Sequence, residues 1–184
     1  IGRIGGIAAN RAQGLKMKTI AYDPHMPREM AEKIGVELVG LDDLARRSDY
    51  ISVHVPLTQE TRNLVSTWFF DMMKNDAMFI DCARGGVCDE QALYEALINN
   101  KIAGAALDVF IKEPTSLDNC PLLGLDNFVC TPHLGASTNE AQESVALIIA
   151  EQVADFLLKG SVTNAVNVPS VSSDVLAQVG PYLK

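Results

Sequence analysis

The chain has 184 residues, of which 48% are hydrophobic and 21% are charged. This composition fits one globular domain with a tail, and it excludes a disordered protein. The 15 basic residues stand against 23 acidic ones, so the formal charge is -8 and nothing resembles a nucleic-acid footprint. A small anionic ligand is compatible with this charge, because local donors can outweigh the field of the whole chain.

The four cysteines (Cys82, Cys88, Cys120 and Cys130) form no CxxC pair, so the sequence predicts no metal centre. No apolar stretch reaches the roughly 20 residues that span a bilayer. The first residues also lack the succession of basic, apolar and small residues that is typical of a signal peptide. We therefore expect a reduced, cytoplasmic setting without a membrane partner. The sequence has no initiating Met and opens inside a motif, which predicts a fragment of a longer protein.

Short apolar runs alternate with helix-like segments, a pattern typical of β-α-β units around a parallel sheet covered on both faces. The sequence therefore predicts an α/β fold with a doubly wound parallel sheet. The predicted strands are Lys18–Tyr22, Val36–Val39, Tyr50–Val55, Ala77–Asp81, Gly104–Val109 and Phe128–Thr131. The predicted helices between them are Gly5–Gln13, Pro27–Ile34, Leu41–Arg46, Ser66–Met73 and Glu90–Asn99.

A longer helix is predicted towards the C-terminus. The tetrapeptide Ser137-Thr-Asn-Glu140 has the capping-box pattern, and apolar residues follow at helical spacing until Gly160. The residues that follow, including Ser170–Ser173, are typical of a linker, and Val175–Leu183 has the character of a further element. We predict one domain over residues 1–160, and a linker with the start of a following element over residues 161–184.

The first residues, Ile1-Gly-Arg-Ile-Gly5, match the last five positions of the pattern G-x-G-x-x-G. The first glycine and its strand would precede residue 1, so the first strand of the fold is truncated. Gly2 would let the backbone approach a pyrophosphate at the helix start, and Gly5 would let helix and strand pack closely. Asp23 follows Gly5 by 18 residues, where its carboxylate would bind ribose hydroxyls and repel a 2′-phosphate. The pattern predicts a Rossmann-type NAD-binding domain over residues 1–160, with an ordinary turn and strand end as the alternative.

The segment Asp81-Cys-Ala-Arg-Gly-Gly86 places one arginine after a predicted strand. Ligands bind at this edge of open α/β sheets. The Arg84 guanidinium could hold a substrate carboxylate through two parallel hydrogen bonds, whereas a surface salt bridge is the simpler alternative.

His133 follows the last predicted strand. Glu113, immediately before Pro114, could orient the imidazole, which is the arrangement of base and orienting carboxylate found in acid–base catalysis. The other two histidines have the character of structural residues, because His25 lies in a polar turn and His54 lies inside an apolar run.

Taken together, the motifs resemble the cofactor-binding domain of the D-isomer-specific 2-hydroxyacid dehydrogenases. The resemblance covers about residues 1–165, and the order and spacing of the motifs are more specific than any single one. The motifs are Gly2-Arg-Ile-Gly5, Tyr22-Asp-Pro24, Val53-His-Val-Pro-Leu57, Cys82-Ala-Arg-Gly-Gly86, Ala105-Ala-Leu-Asp-Val-Phe110, Glu113-Pro114 and Pro132-His-Leu-Gly-Ala-Ser-Thr138.

The resemblance implies a role for each matching residue. Arg84 would bind the substrate carboxylate and carbonyl, His133 would be the acid–base, and Glu113 would be its carboxylate partner. Arg84 and His133 would also line the cofactor. The other implied NAD contacts are Gly2, Arg3, Ile4 and Gly5 at the pyrophosphate, Asp23 at the ribose, Val55 and Pro56 beside the adenosine, and Cys82, Ala83, Asp108, Gly135 and Ala136 on the nicotinamide side.

The sequence departs from the family pattern at few positions. Cys88 stands where Val or Ile is commoner, and Val55 stands where Thr often lies. The N-terminal lid domain, which supplies further substrate contacts in this family, is missing from the sequence. The Cys82–Gly86 and Pro132–Thr138 motifs, with Asn164-Ala-Val-Asn167, resemble most a branch that oxidises a phosphorylated hydroxy acid.

The resemblance implies NAD-dependent oxidation of a small hydroxy acid by a homodimer or homotetramer, with neither nucleic acid nor membrane as a partner. One alternative is the same chemistry on another acid, such as glyoxylate, hydroxypyruvate or D-lactate. A second alternative is a non-enzymatic NAD-sensing binding module, as in related transcriptional corepressors, because such modules can retain the same triad of Arg84, Glu113 and His133.

Overall fold

A computed structural model describes residues 1–167 and Val175. The chain forms two compact units, Ile1–His133 and a second unit that begins at Leu134. The predicted linker residues Ser170–Ser173 lie outside the described residues, as does the predicted element Val175–Leu183 apart from Val175 itself.

The first unit contains six short parallel strands, which confirm the six predicted ones. Each is one to three residues shorter than predicted, because residues at one or both ends of the predicted run lie outside the hydrogen-bonded ladder. The first two strands pair only with each other, and the other four form one sheet in chain order. The strands are β1 (Ile20–Ala21), β2 (Glu37–Leu38), β3 (Tyr50–Val53), β4 (Met78–Asp81), β5 (Gly104–Leu107) and β6 (Phe128–Cys130).

Five helices confirm the five predicted ones; the first precedes β1, and the other four connect the successive strands β1 to β5. The fourth helix is half the predicted length, because Met72 and Met73 bond to carbonyls three residues back and so leave the α-helical pattern. Two 3-10 turns, at Pro121–Gly124 and Leu134–Ala136, were not predicted. The helices are α1 (Arg3–Gly14), α2 (Arg28–Lys33), α3 (Leu41–Arg47), α4 (Thr67–Phe70) and α5 (Glu90–Ile98).

The hydrophobic core lies between the four-stranded sheet and helices α3 to α5. Phe79 of β4 is fully buried, and its ring makes an edge contact with Phe70 of α4 at 5.4 Å between ring centroids. Leu93 and Leu97 are buried on the inner face of α5. Strand β3 alternates, with Ile51 and Val53 buried between exposed neighbours, so the expectation of strands covered on both faces is wrong for β3.

Strands β1 and β3 do not pair, and a groove of about 810 Å³ separates their sheets. Its walls include Ala8 and Ala12 of α1, and Ile51 and Val53 of β3. In a doubly wound sheet the first strand lies at this place, in the middle of the sheet. The strand that follows the first helix pairs with one side of it, and a later strand pairs with the other side. Among the described residues no strand precedes α1.

The second unit is dominated by the long helix α6 (Asn139–Lys159). The predicted cap at Ser137 is wrong: Thr138 is the N-cap, since its hydroxyl accepts a hydrogen bond from the Ala141 N–H at 3.1 Å. The predicted end is confirmed at Gly160, which adopts a left-handed conformation with φ of 67°. Nowhere in residues 1–167 is a helix both long and apolar enough to cross a bilayer.

Candidate active site

The site residues of the first unit gather at one edge of the sheet. Strands β3 to β6 are parallel and in register, so Val53, Asp81 and Leu107 lie side by side at their carboxyl ends. Helix α1 begins at the same edge, since a Cβ on Gly5 would lie 3.5 Å from the Cβ of His54. That distance is an ordinary van der Waals contact, so the packing at Gly5 is close without excluding a methyl group.

The first turn of α1 is open to an anionic ligand. Gly2 occupies the N-cap in an extended conformation, no side chain caps the helix, and no acidic residue lies in its first turn. A Cβ on Gly2 would have no heavy atom within 4 Å, so the backbone there is accessible. Arg3 and Ile4, both exposed, complete the turn. Backbone N–H groups and the helix dipole favour a phosphate group at such an end.

Asp23 lies beside this turn, directly after β1. Its carboxylate contacts the backbone nitrogen of Ile1, and it accepts a hydrogen bond from the His25 N–H at 2.9 Å. The contact with Ile1 places a negative charge next to the Gly2 turn. The open turn and the adjacent carboxylate fit the pyrophosphate and the ribose of a dinucleotide, and a carboxylate at the ribose disfavours a 2′-phosphate.

Val55 and Pro56 follow β3 and continue the wall beside α1. Val55 packs against the core, and Pro56 is exposed, with its carbonyl accepting a hydrogen bond from the Thr61 hydroxyl. Nearby, His54 bonds to the Ser52 hydroxyl at 3.0 Å, and burial lowers the pKa of its imidazole. His54 is therefore held in the wall in its neutral form at neutral pH.

The turn after β4 is shaped by a buried carboxyl group. Asp81 is 1% exposed and accepts a hydrogen bond from the Ala83 N–H at 2.8 Å. Burial raises the pKa of Asp81 to about 6. Arg84 is exposed beyond this turn, and its guanidinium donates to the Ala83 carbonyl at 2.6 Å. Asp81 thus shapes the turn that presents the predicted substrate-binding arginine.

The nicotinamide side of the predicted site contains Cys82 and Asp108. The Asp108 N–H donates to the Asp81 carbonyl at 3.0 Å, and its carboxylate accepts from the Thr131 hydroxyl. Burial and the charges of Asp108 and Asp81 raise the pKa of the exposed Cys82 thiol, so it stays protonated at neutral pH. The Cys82 side chain is therefore an uncharged group at this predicted position.

Glu113 and His133 form the predicted pair. His133 Nδ1 lies 3.0 Å from Glu113 Oε2, and the other carboxylate oxygen, Oε1, accepts from the Phe110 N–H at 3.0 Å. The hydrogen bond from His133, and then that from Phe110, lower the pKa of Glu113. The carboxylate is thus ionised at neutral pH and orients the imidazole, as the sequence predicted.

Not every predicted site residue lies in the first unit. Gly135 and Ala136 belong to the 3-10 turn at the start of the second unit, directly after His133 in the chain. Sequence reasoning also left Asp81, Gly85 and Glu90 without a role, although the structure ties all three to the turn after β4 or to the segment of Glu113. Of these three, only Gly85 could have been found from the sequence, because the pair Gly85-Gly86 is typical of a place where two backbones approach closely.

The chain matches the family model described as the NAD binding domain of D-isomer specific 2-hydroxyacid dehydrogenase, over residues 1–135. The chain therefore belongs to this family and carries its Rossmann-type NAD-binding domain. This confirms the predicted family, fold class and cofactor.

Two relatives are named D-3-phosphoglycerate dehydrogenase. The protein of Methanocaldococcus jannaschii is 47% identical over 184 residues, which is all of this chain and 35% of that protein. The protein of Archaeoglobus fulgidus is 49% identical over 183 residues, or 100% of this chain and 34% of that protein. The chain thus spans about a third of the length of these relatives.

A solved structure of the same fold is the apo form of Rhodotorula graminis D-mandelate dehydrogenase. It matches with a TM-score of 0.80 at 31% identity, over 92% of this chain and 50% of that one. The apo structure of D-lactate dehydrogenase from Escherichia coli matches with a TM-score of 0.73 at 36% identity, over 88% of this chain and 50% of that one.

Proposed function

We propose that the protein containing this domain oxidises D-3-phosphoglycerate to 3-phosphohydroxypyruvate, the first step of serine biosynthesis. The substrate follows the names of the relatives with 47% and 49% identity. The observation that carries the reaction type is the 3.0 Å contact between Glu113 and His133 at the edge of the sheet. It supplies a proton acceptor together with the group that orients it.

In the oxidative direction His133 removes the proton of the substrate C2 hydroxyl. Glu113 Oε2 accepts the hydrogen bond of Nδ1–H, which leaves Nε2 as the acceptor facing substrate. The imidazolium that forms is stabilised by the adjacent carboxylate. Because the Phe110 N–H holds Oε1, the carboxylate keeps one orientation during proton transfer.

Arg84 binds the substrate carboxylate in this proposal. Its guanidinium donates to the carbonyl of Ala83, next to it in the chain. The side chain is exposed, so it exchanges this single contact for a charged, bidentate one when the carboxylate arrives. A lysine at the same place would supply only a point charge.

The first turn of α1, with Gly2, Arg3, Ile4 and Gly5, would hold the pyrophosphate of NAD, and Asp23 its adenosine ribose. Bound NAD supplies the acceptor for the C2 hydride. Val55, Pro56, Cys82, Ala83, Asp108, Gly135 and Ala136 complete the proposed lining, with Arg84 and His133.

The proposal extends to the organisation of the protein. Residues 1–160 would act as the dinucleotide-binding domain, with a lid domain and further elements supplied by the rest of a longer, homodimeric or homotetrameric protein. Apolar side chains on α6, such as Leu147 at 67% and Leu158 at 81% exposed, support a covering partner surface. All four cysteines are free, which supports a reduced, cytoplasmic location.

A second substrate has specific support. The hydroxypyruvate reductase of Thermotoga maritima is 45% identical over 153 residues, or 83% of this chain and 49% of that protein. Its identity to this chain is close to that of the two relatives named D-3-phosphoglycerate dehydrogenase. The substrate in its name carries no phosphate group, so an unphosphorylated acid is the competing substrate.

The test is NADH formation by the whole protein with D-3-phosphoglycerate, beside D-lactate and D-glycerate. Activity confined to the phosphorylated acid is the expected result. His133→Ala should lower turnover about 100- to 10,000-fold, the usual contribution of a general acid–base. His25→Ala, at an exposed histidine outside the pair, is the matched control and should keep full activity.

Activity on D-glycerate or D-lactate instead would assign another hydroxyacid dehydrogenase. Binding of NADH without turnover of any of these acids would favour the NAD-sensing module, which is then checked by NAD-dependent binding of a partner peptide.

A further inference from the structure

The segment that carries Glu113 has no regular secondary structure. Residues 108–114 follow β5 without forming a helix or a strand, so no regular hydrogen-bond ladder holds their backbone groups. Two successive amides are held by two carboxylates. The Phe110 N–H donates to Glu113 Oε1 at 3.0 Å, and the Ile111 N–H donates to Glu90 Oε1 at 2.6 Å.

Glu90 is the first residue of α5, but it does not cap that helix. Asp89 is the N-cap, and its carboxylate accepts from the N–H groups of Gln91 and Ala92 at 3.0 and 3.1 Å. The half-buried carboxylate of Glu90 reaches across 21 residues of sequence to Ile111 instead. A residue that only stabilised α5 would not need this contact.

Gly85 touches the same peptide from the turn that carries Arg84. A Cβ on Gly85 would lie 2.0 Å from the carbonyl oxygen of Phe110 and 2.9 Å from the nitrogen of Ile111. Any side chain at position 85 would therefore displace the segment of Glu113. The absence of a side chain is what allows the turn of Arg84 and the segment of Glu113 to pack backbone against backbone.

We propose that Glu90 is a positioning residue for the Glu113–His133 pair. By holding the Ile111 N–H it fixes the peptide between Phe110 and Ile111 against Gly85. Fixing that peptide restrains the adjoining one, between Val109 and Phe110, whose N–H donates to Glu113 Oε1 and so leaves Oε2 for His133. The role of Glu90 in turnover rests on the proposed function, whereas its role in the geometry of the Glu113–His133 pair does not.

Two substitutions separate the reach of the side chain from its charge. Glu90→Gln keeps the length and a carbonyl oxygen for the Ile111 N–H, but it loses the charge. Glu90→Asp keeps the charge at the start of α5 but withdraws the carboxylate by one methylene group. Glu95→Gln is the matched control, since Glu95 is an exposed glutamate of the same helix that bonds to Gln91.

The first readout is independent of activity. Carbon-13 NMR titration of the Glu113 carboxyl should show its pKa below the usual range in the wild type, in Glu90→Gln and in Glu95→Gln. In Glu90→Asp the pKa should move back towards its usual range, because Glu113 loses the Phe110 N–H. Hydrogen exchange at the Phe110 and Ile111 amides should become about tenfold faster in the same variant.

The second readout is turnover of D-3-phosphoglycerate by the whole protein. We expect kcat about tenfold lower in Glu90→Asp, with KM for NAD unchanged, and wild-type values within about twofold in Glu90→Gln. The proposal is overturned if Glu90→Gln is impaired and Glu90→Asp is not, or if the titration of Glu113 is the same in all variants. If the wild type turns over no hydroxy acid, the proposed function fails, and the NMR experiment still decides the role of Glu90.

Discussion

The two halves of the first unit differ in how firmly they are packed. The four-stranded sheet rests on a continuous core that extends from Ala45 to Leu122. Before Ala45 the chain buries only Gly5, Ala31 and Val36, and the sheet of β1 and β2 shares no hydrogen-bonded edge with the other sheet. The groups proposed for proton transfer thus follow the strands of the well-packed half, whereas Asp23 follows a strand of the weakly packed half.

The difference reflects where each half lies in the fold. The groove between β1 and β3 lies where a doubly wound sheet has a strand, so the apolar residues of the first half line a groove instead of a continuous core. The Glu113 segment follows the sheet that rests on the continuous core, and backbone contacts and carboxylates hold it. A proton must move between atoms whose separation is set to within a fraction of an ångström, so firm packing in this half serves the proposed chemistry.

The largest expected effect comes from the core of the four-stranded half. Phe79→Ala should lower the free energy of unfolding by about 3–5 kcal/mol, because a fully buried ring is replaced by a cavity. Val36→Ala, at a buried residue of the other half, should cost about 2 kcal/mol or less. Urea unfolding of both variants measures the contrast, and equal costs would remove the distinction between the halves.

Asp81 gives the well-packed half a pH dependence. Its pKa is raised from 3.8 to about 6 in the folded protein, so the folded state binds more protons than the unfolded state between these values. The contribution of this group to the free energy of unfolding is therefore highest below about pH 4 and falls as the pH rises through 6. Asp81→Asn keeps an acceptor for the Ala83 N–H. Its free energy of unfolding at neutral pH should exceed that of the wild type by up to about 3 kcal/mol.

The measurement for Asp81 is urea unfolding of both proteins across pH 4 to 7. The difference between variant and wild type should grow over that interval. A constant difference would show that the carboxyl of Asp81 does not titrate there.

Asp23 tests the weakly packed half. Asp23→Asn should weaken NAD binding about 10- to 100-fold, because hydrogen bonds from ribose hydroxyls to a charged acceptor are replaced by weaker ones. NADP binding should improve, since the charge that repels a 2′-phosphate is gone. Titration calorimetry with both nucleotides checks this, with exposed Glu29→Gln of α2 as the control. An unchanged preference for NAD would remove Asp23 from the ribose site.

The smallest expected effect comes from Glu113→Gln. In this variant the imidazole of His133 loses its carboxylate partner at 3.0 Å. The amide oxygen can still accept a hydrogen bond from Nδ1–H but carries no charge, so turnover should fall about tenfold or less. Steady-state rates of the variant and of the wild type measure the loss. A rate equal to that of the wild type would contradict the assigned partnership.

Several elements were predictable because their causes are local. Apolar runs bounded by turns identify β3 to β6, and Gly160 ends α6 because it tolerates a left-handed conformation. The cap at Thr138 was mistaken for Ser137 because neighbouring hydroxyl residues both suit an N-cap, and only the backbone angles decide between them.

The family, the fold class and the cofactor follow from the sequence alone, and so does the choice of Glu113 and His133 as a pair, because all of them depend on motifs of recognisable spacing. The groups that hold that pair emerge only from the folded chain. The reach of Glu90 to Ile111, the backbone contact of Gly85 with Phe110 and the burial of Asp81 join residues that are distant in sequence or depend on the packing around them. Such contacts leave no periodic signal, since they depend on how separate loops meet at the edge of a folded sheet.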